Sequence, residues 1–243
     1  MRKYGLSGNM LKWIAAFFMA VDHVGVILFP EWRILRMLGR LSFPIFAFMI
    51  AEGCRYTRNK YRYFLGIFGV GVVCQAALFF YNGSTEMNIL LTFSLSILLV
   101  YAFAFLKEQL FAWERSVSCT LAALVLFVLL LAGVVLLGKI LDLDYDATGC
   151  MVPLYASLLH PPRKRADTAL HRIDRPCWHV LSMTAGLLLL SADHGGIQWL
   201  CLLALPILLL YTGKRGKARM KYFFYIFYPA HLLVIEGIAW LLR

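Results

Sequence analysis

Residues 11–30 read LKWIAAFFMAVDHVGVILFP. A helix needs about 20 mostly apolar residues to cross a bilayer core of ~30 Å, and this run has that composition. Yet Asp22 and His23 sit side by side near its middle. Ionisable groups at such depth are costly and face a bundle interior or a watery cavity. The stretch therefore decides the fold class and marks a candidate site at once. The preceding MRK resembles the basic start of a secretory signal. The apolar run is long, however, and no small-residue cleavage site follows it, so a retained helix is expected.

Outward from this stretch the pattern repeats. Of 243 residues, 61% are hydrophobic and 15% charged, with a mean hydropathy of +0.74. Soluble domains carry about a quarter charged residues, so the chain is expected to be an all-α, polytopic integral membrane bundle. Apolar runs at 11–29, 34–53, 63–81, 87–106, 117–138, 149–159, 178–192, 196–212 and 222–242 predict about nine spans. All but five of the 24 Lys and Arg fall at alternate connections beginning with the N-terminus; the exceptions are Arg33, Arg36, Arg40, Lys139 and Arg243. Basic residues concentrate on the cytoplasmic side, so the N-terminus is expected in the cytoplasm and the C-terminus outside. The net charge of +11 is then mostly a topological signal, and no nucleic-acid partner is needed to explain it. No linker or low-complexity tract divides the chain, which predicts one domain over 1–243. The six cysteines are scattered without metal or redox spacing and read as small buried hydrophobes.

The polar residues inside the spans carry the chemistry. His23 follows Lys12 by eleven residues, about three helical turns and roughly 16 Å along the axis. Both therefore lie on one face, a cation at the mouth and an imidazole deep inside. A ligand with an anionic head and a long thin arm suits that arrangement, and an imidazole suits proton removal from an attacking hydroxyl or amine. Asp22 projects about 100° away from His23 and must reach another helix or water. Arg36 and Arg40, one turn apart, either pair with it or grip an anionic substrate. Both readings stay open.

Several blocks carry a resemblance: VDHVG (21–25), GRLSFPIFAFMIAEGCRYTRNKYRYFL (39–65), NILLTFSL (88–95), LDYDATG (143–149), LLLYTGKRG (208–216) and KYFFYIFYPAHLL (221–233). In this order they resemble the TraX family of bacterial membrane proteins, named from pilin acetylation in conjugative plasmids. The resemblance runs from about residue 10 to residue 235. It implies kinship with transmembrane acyltransferases of the acyltransferase-three kind, in which a basic residue precedes a helix histidine with ten residues between. Lys12 and His23 match that spacing. The implied activity is transfer of an acyl group, acetyl above all, from a coenzyme A thioester on the cytoplasmic side of a bacterial inner membrane. The acceptor would be an amine or hydroxyl in or beyond the membrane: a peptide, glycan or lipid headgroup.

On this reading His23 is the base, assisted by Asp22 and by His231 from FYPAHLL. Direct transfer and an acetyl-histidine intermediate stay open. His231 is also readable as an acceptor-binding group or a satisfied buried histidine. Lys12, Arg55 and Arg58 of RYTRNKYR, and Lys214 and Arg215 between Gly213 and Gly216, are the expected seats for coenzyme A phosphates. Glu52, Asn88 and Tyr228 are expected as substrate-facing or structural polar groups. Pro44 is expected to kink the second span. No metal is expected, because no close His or carboxylate pair recurs at ligand spacing. The rival class is a proton-coupled transporter using the Asp22, His23 and Arg40 cluster, although no internal repeat is visible.

Overall fold

A computed structural model of the chain describes residues 5–112, 116–163, 169–216 and 221–242. Parts of the basic loops, including Arg115, Lys164, Arg165, Lys217 and Arg219, lie outside the described residues. The elements are α1 (Gly8–Ile27), α2 (Arg33–Gly39), α3 (Ser42–Tyr56), α4 (Lys60–Asn82), α5 (Ile89–Leu110), α6 (Val117–Ile140), α7 (Asp146–Ser157), α8 (Ala169–Arg172), α9 (Pro176–His194), a 3₁₀ segment (Gly196–Leu203), α10 (Ala204–Leu209) and α11 (Lys221–Leu242). Among the described residues there are isolated β-bridges but no strand.

Among the described residues, six helical stretches are long and apolar enough to cross a membrane: Gly8–Ile27, Arg33–Tyr56, Lys60–Tyr81, Ile89–Leu110, Val117–Ile140 and Phe223–Leu242. The expected nine include three that differ from this set. The run at 149–159 falls in α7, whose 12 residues reach only about 18 Å. The run at 178–192 belongs to α9, where His179, Asp193 and His194 interrupt the apolar sequence. The run at 196–212 is split into a 3₁₀ segment and the short α10. The second span breaks between α2 and α3, at Arg40 and Leu41. Pro44 accounts for the position, because its ring excludes the Arg40 carbonyl from helical pairing one turn upstream.

By internal contacts the chain forms two compact units, residues 1–49 with 187–243, and residues 50–186. In the first unit α1 packs on α2 and on α11. The segment before α1 pairs with residues 210–212 through Leu6 N to the Leu210 carbonyl at 2.8 Å and Thr212 N to the Leu6 carbonyl at 3.0 Å. The leading amides of a helix lack partners within it. Here Gly8 and Asn9 N–H donate to the Lys214 and Arg215 carbonyls at 2.8 and 2.9 Å. Ser7 accepts from Met10 N as the N-cap. The Ser42 hydroxyl at the start of α3 donates to the Ala15 carbonyl at 2.9 Å, tying α3 to α1.

In the second unit α5 is the central helix, contacted by α4, α6 and α7. Leu99, Val134, Leu143 and Cys150 form its buried apolar cluster. Asn88 caps α5 by accepting from Leu90 N, and its amide donates to the Gly71 carbonyl of α4 at 2.8 Å. Thr92 donates to the Asp144 carbonyl ahead of α7 at 2.9 Å. The α6 helix is apolar all round, with Ala123 and Val134 buried and residues such as Leu121, Val125 and Leu129 exposed. An all-apolar exposed helix is what lipid requires.

Candidate functional site

Two helices build the first unit's polar centre. Along α1 and α11 the contacts run in step: Trp13 meets Phe223 with ring centroids 4.5 Å apart, Lys12 Nζ lies 5.6 Å from the Phe224 ring centre, and His23 meets His231 at 4.9 Å. The helices are therefore parallel neighbours, and Lys12 and His23 reach toward the same partner. The α11 face presents Phe223, Phe227 and His231 at i, i+4 spacing, and the Phe227 and His231 rings stack at 5.0 Å. Tyr228 is buried with its ring 5.7 Å from His231. Pro229 removes the amide that would bond the Tyr225 carbonyl, so the backbone beside this cluster is less tightly laddered.

The imidazoles are oriented by their own helices. His23 Nδ1 lies 2.8 Å from the Met19 carbonyl, and His231 Nδ1 lies 2.9 Å from the Phe227 carbonyl. A carbonyl only accepts, so each Nδ1 carries the proton. His231 Nε2 is then an acceptor, and it faces His23 Nδ1 at 3.3 Å. This leaves the lone pair of His23 on Nε2. A proton taken there would make an imidazolium whose Nδ1–H is shared by a carbonyl and a second imidazole. That is base geometry.

Asp22 turns the other way. Arg36 Nη1 donates to its Oδ2 at 2.5 Å. Its Oδ1 is buried, with no hydrogen-bond donor among the described residues. The α2 backbone comes close there because residue 39 is glycine; a Cβ at that position would collide with the Asp22 carboxylate. Arg40 instead donates to Gln198 Oε1 at 3.3 Å. Lys214 and Arg215 have exposed side chains beside the start of α1, where their carbonyls receive its first amides.

The remaining expected site residues lie in the second unit. Arg58 is exposed, Asn88 serves as the α4–α5 joint, and Arg55 is ion-paired with Asp174. Glu52 is buried between His160 and His179, at 3.3 Å from His160 Nε2 and 3.9 Å from His179 Nδ1. Burial, reinforced by the Arg55 and Lys107 charges, holds His160 well below the usual imidazole range and therefore neutral. Lys107 donates to the Ser157, Leu158 and His160 carbonyls at 2.9, 3.4 and 2.7 Å, closing the end of α7. Arg163 does the same at the end of α3, reaching the Cys54 and Arg55 carbonyls. Lys107, Arg163, His160, His179 and Asp174 did not stand out in the sequence. The two cations merged with the basic loops, and the others lie more than a hundred residues along the chain from Glu52.

Long apolar helices with a partly buried imidazole pair at a parallel helix contact mark a polytopic helical membrane protein. Residues 7–239 match the family described as TraX protein, and the chain belongs to the TraX family. It is similar to the probable fimbrial assembly protein FimC, serogroup H1, of Dichelobacter nodosus, 29% identical over 258 residues and 96% of either chain. It is also similar to an uncharacterized protein of Rickettsia prowazekii (strain Madrid E), 25% identical over 166 residues and 63% of either chain. No solved structure matches it.

Proposed function

We propose that the protein is a transmembrane acyltransferase of a bacterial cytoplasmic membrane, using acetyl-coenzyme A as donor. The observation that carries this reading is the placement of Lys12 and His23 toward one helix, with His23 against His231. The exposed Lys214 and Arg215 side chains, beside the entrance to α1, would receive the donor's phosphates. Lys12 marks the path inward, roughly 16 Å before His23. At the thioester, His23 Nε2 takes the proton of the acceptor amine or hydroxyl as that nucleophile attacks the carbonyl carbon. The carbon–sulfur bond then breaks, and the departing thiolate receives the proton from His23. His231 orients His23 and shares the charge that forms on it. Asp22, tied to Arg36, keeps a carboxylate oxygen for positioning the acceptor.

A relative named for fimbrial assembly supports a membrane-held fimbrial or pilin subunit as acceptor. Radiolabelled acetyl-coenzyme A incubated with membranes tests the reading. Label should enter a product with the wild-type chain and fall by at least about a hundredfold with His23→Ala. Equal labelling by both would remove His23 from the chemistry.

A further inference from the structure

The second unit holds a cluster that acyl transfer does not use. Glu52 near the end of α3, His160 just after α7 and His179 in the first turn of α9 come from three separate elements. They are 3%, 7% and 1% exposed, so water does not solvate them. One donor atom of each lies within 4.8 Å of the others, and the two closest approaches to Glu52 Oε1 are 3.3 and 3.9 Å. Hydrogen bonding does not explain the convergence, because His160 Nε2 and His179 Nδ1 are buried and make no hydrogen bond among the described residues. Ligand atoms around a tetrahedral zinc-class ion stand roughly 3.3 Å apart, given metal–ligand lengths of about 2.0–2.2 Å.

The surroundings are also those of a metal-ligating histidine. Such a residue directs its second ring nitrogen to a carboxylate or carbonyl that fixes its orientation. His179 Nε2 faces Asp174 Oδ1 at 3.3 Å, and Arg55 in turn holds Asp174. The backbone of His160 is held by Lys107. A protonated histidine with Glu52 as counter-ion would account for one imidazole. It does not account for a second whose Nδ1 turns to the same oxygen while its Nε2 has a carboxylate of its own.

We propose that Glu52, His160 and His179 bind a divalent transition-metal ion of the zinc class, with Asp174 positioning His179. His160 and Asp174 also line a cavity of about 680 Å³, together with Arg55, Lys60, Lys107 and Arg163. Three protein ligands leave a coordination position for water or an anionic ligand. The sequence expectation of no metal considered ligands close in the chain, and these three are separated by more than a hundred residues in one gap and about twenty in the other.

The test uses the full chain, purified in detergent with a tag free of histidine. Metal content is measured after equilibration with zinc, and visible absorption is recorded with cobalt(II) as a spectroscopic substitute. About one equivalent of zinc, and a cobalt band typical of low-coordinate N/O ligation, are expected for the wild type and for His23→Ala. Glu52→Gln and His179→Ala should lose the metal, and Asp174→Asn should bind about 10–100-fold more weakly. A folded wild-type chain that takes up neither zinc nor cobalt would overturn the proposal. So would Glu52→Gln binding as the wild type does. Should His179→Ala not fold, the wild-type cobalt spectrum and Glu52→Gln decide the matter. Metal content is read without any acyl donor, so failure here leaves the acyl-transfer reading standing, and the reverse.

Discussion

Gly39 and Gly133 both lie in apolar stretches, yet they face different surroundings. A Cβ on Gly39 meets the Asp22 carboxylate, whereas one on Gly133 in α6 meets nothing within 4 Å. Gly39→Ala is therefore expected to cost about 1–3 kcal/mol by overpacking, read as a lowered melting temperature in detergent. Gly133→Ala should be neutral or slightly stabilising, since alanine is the better helix former. His231→Phe keeps a ring to stack on Phe227 but removes the nitrogen that faces His23. Acyl transfer should drop about 10–100-fold with the fold retained, and an unchanged rate would reduce His231 to a packing residue. At this scale Lys12 and His23 were legible because helical geometry alone relates two residues on one element. Glu52 was visible only as an acid in an apolar span. Its histidine neighbours come from other elements, and no periodicity within a helix connects them.

Among the elements, α7 shows most clearly how a buried cation can serve a helix end. The last carbonyls of a helix have no partner within it, and Lys107 supplies donors to three carbonyls at that end. Lys107→Met should leave them unsatisfied in a dry interior and destabilise the protein by at least about 1–3 kcal/mol. Lys139→Met, at an exposed position late in α6, should leave thermal stability unchanged. Most long spans were readable from apolar length. The stretch from 149 to 212 was not, because α7, α9 and the 3₁₀ segment are short or interrupted, and hydropathy cannot separate a short buried helix from a crossing one. Pro44 signalled a break in the second span, and the backbone yields one turn earlier, where the lost hydrogen bond would have been accepted.

For the whole molecule, the parallel contact of α1 with α11 constrains topology. Two adjacent parallel spans begin at the same membrane face, so the crossings from α1 through α11 number an odd total. If all six candidate spans among the described residues cross, an odd number of further crossings is expected between α6 and α11. Combined with the basic-residue asymmetry, this predicts a cytoplasmic N-terminus and a C-terminus on the opposite face. Reporter fusions at the two ends should report opposite compartments, and a shared compartment would refute the parity. That the chain is membrane-embedded was legible from composition. That its first 49 residues form a compact unit with residues 187–243 was not, because contacts distant in sequence leave no local pattern. The pairing at the entrance to α1 has a bearing on biosynthesis. Its first two amides wait for carbonyls more than two hundred positions later, at Lys214 and Arg215. A ribosome emits the intervening unit first, so the unit bearing His23 can close only near the end of translation, and ribosome-stalled chains shorter than about 216 residues should expose the α1 entrance to protease.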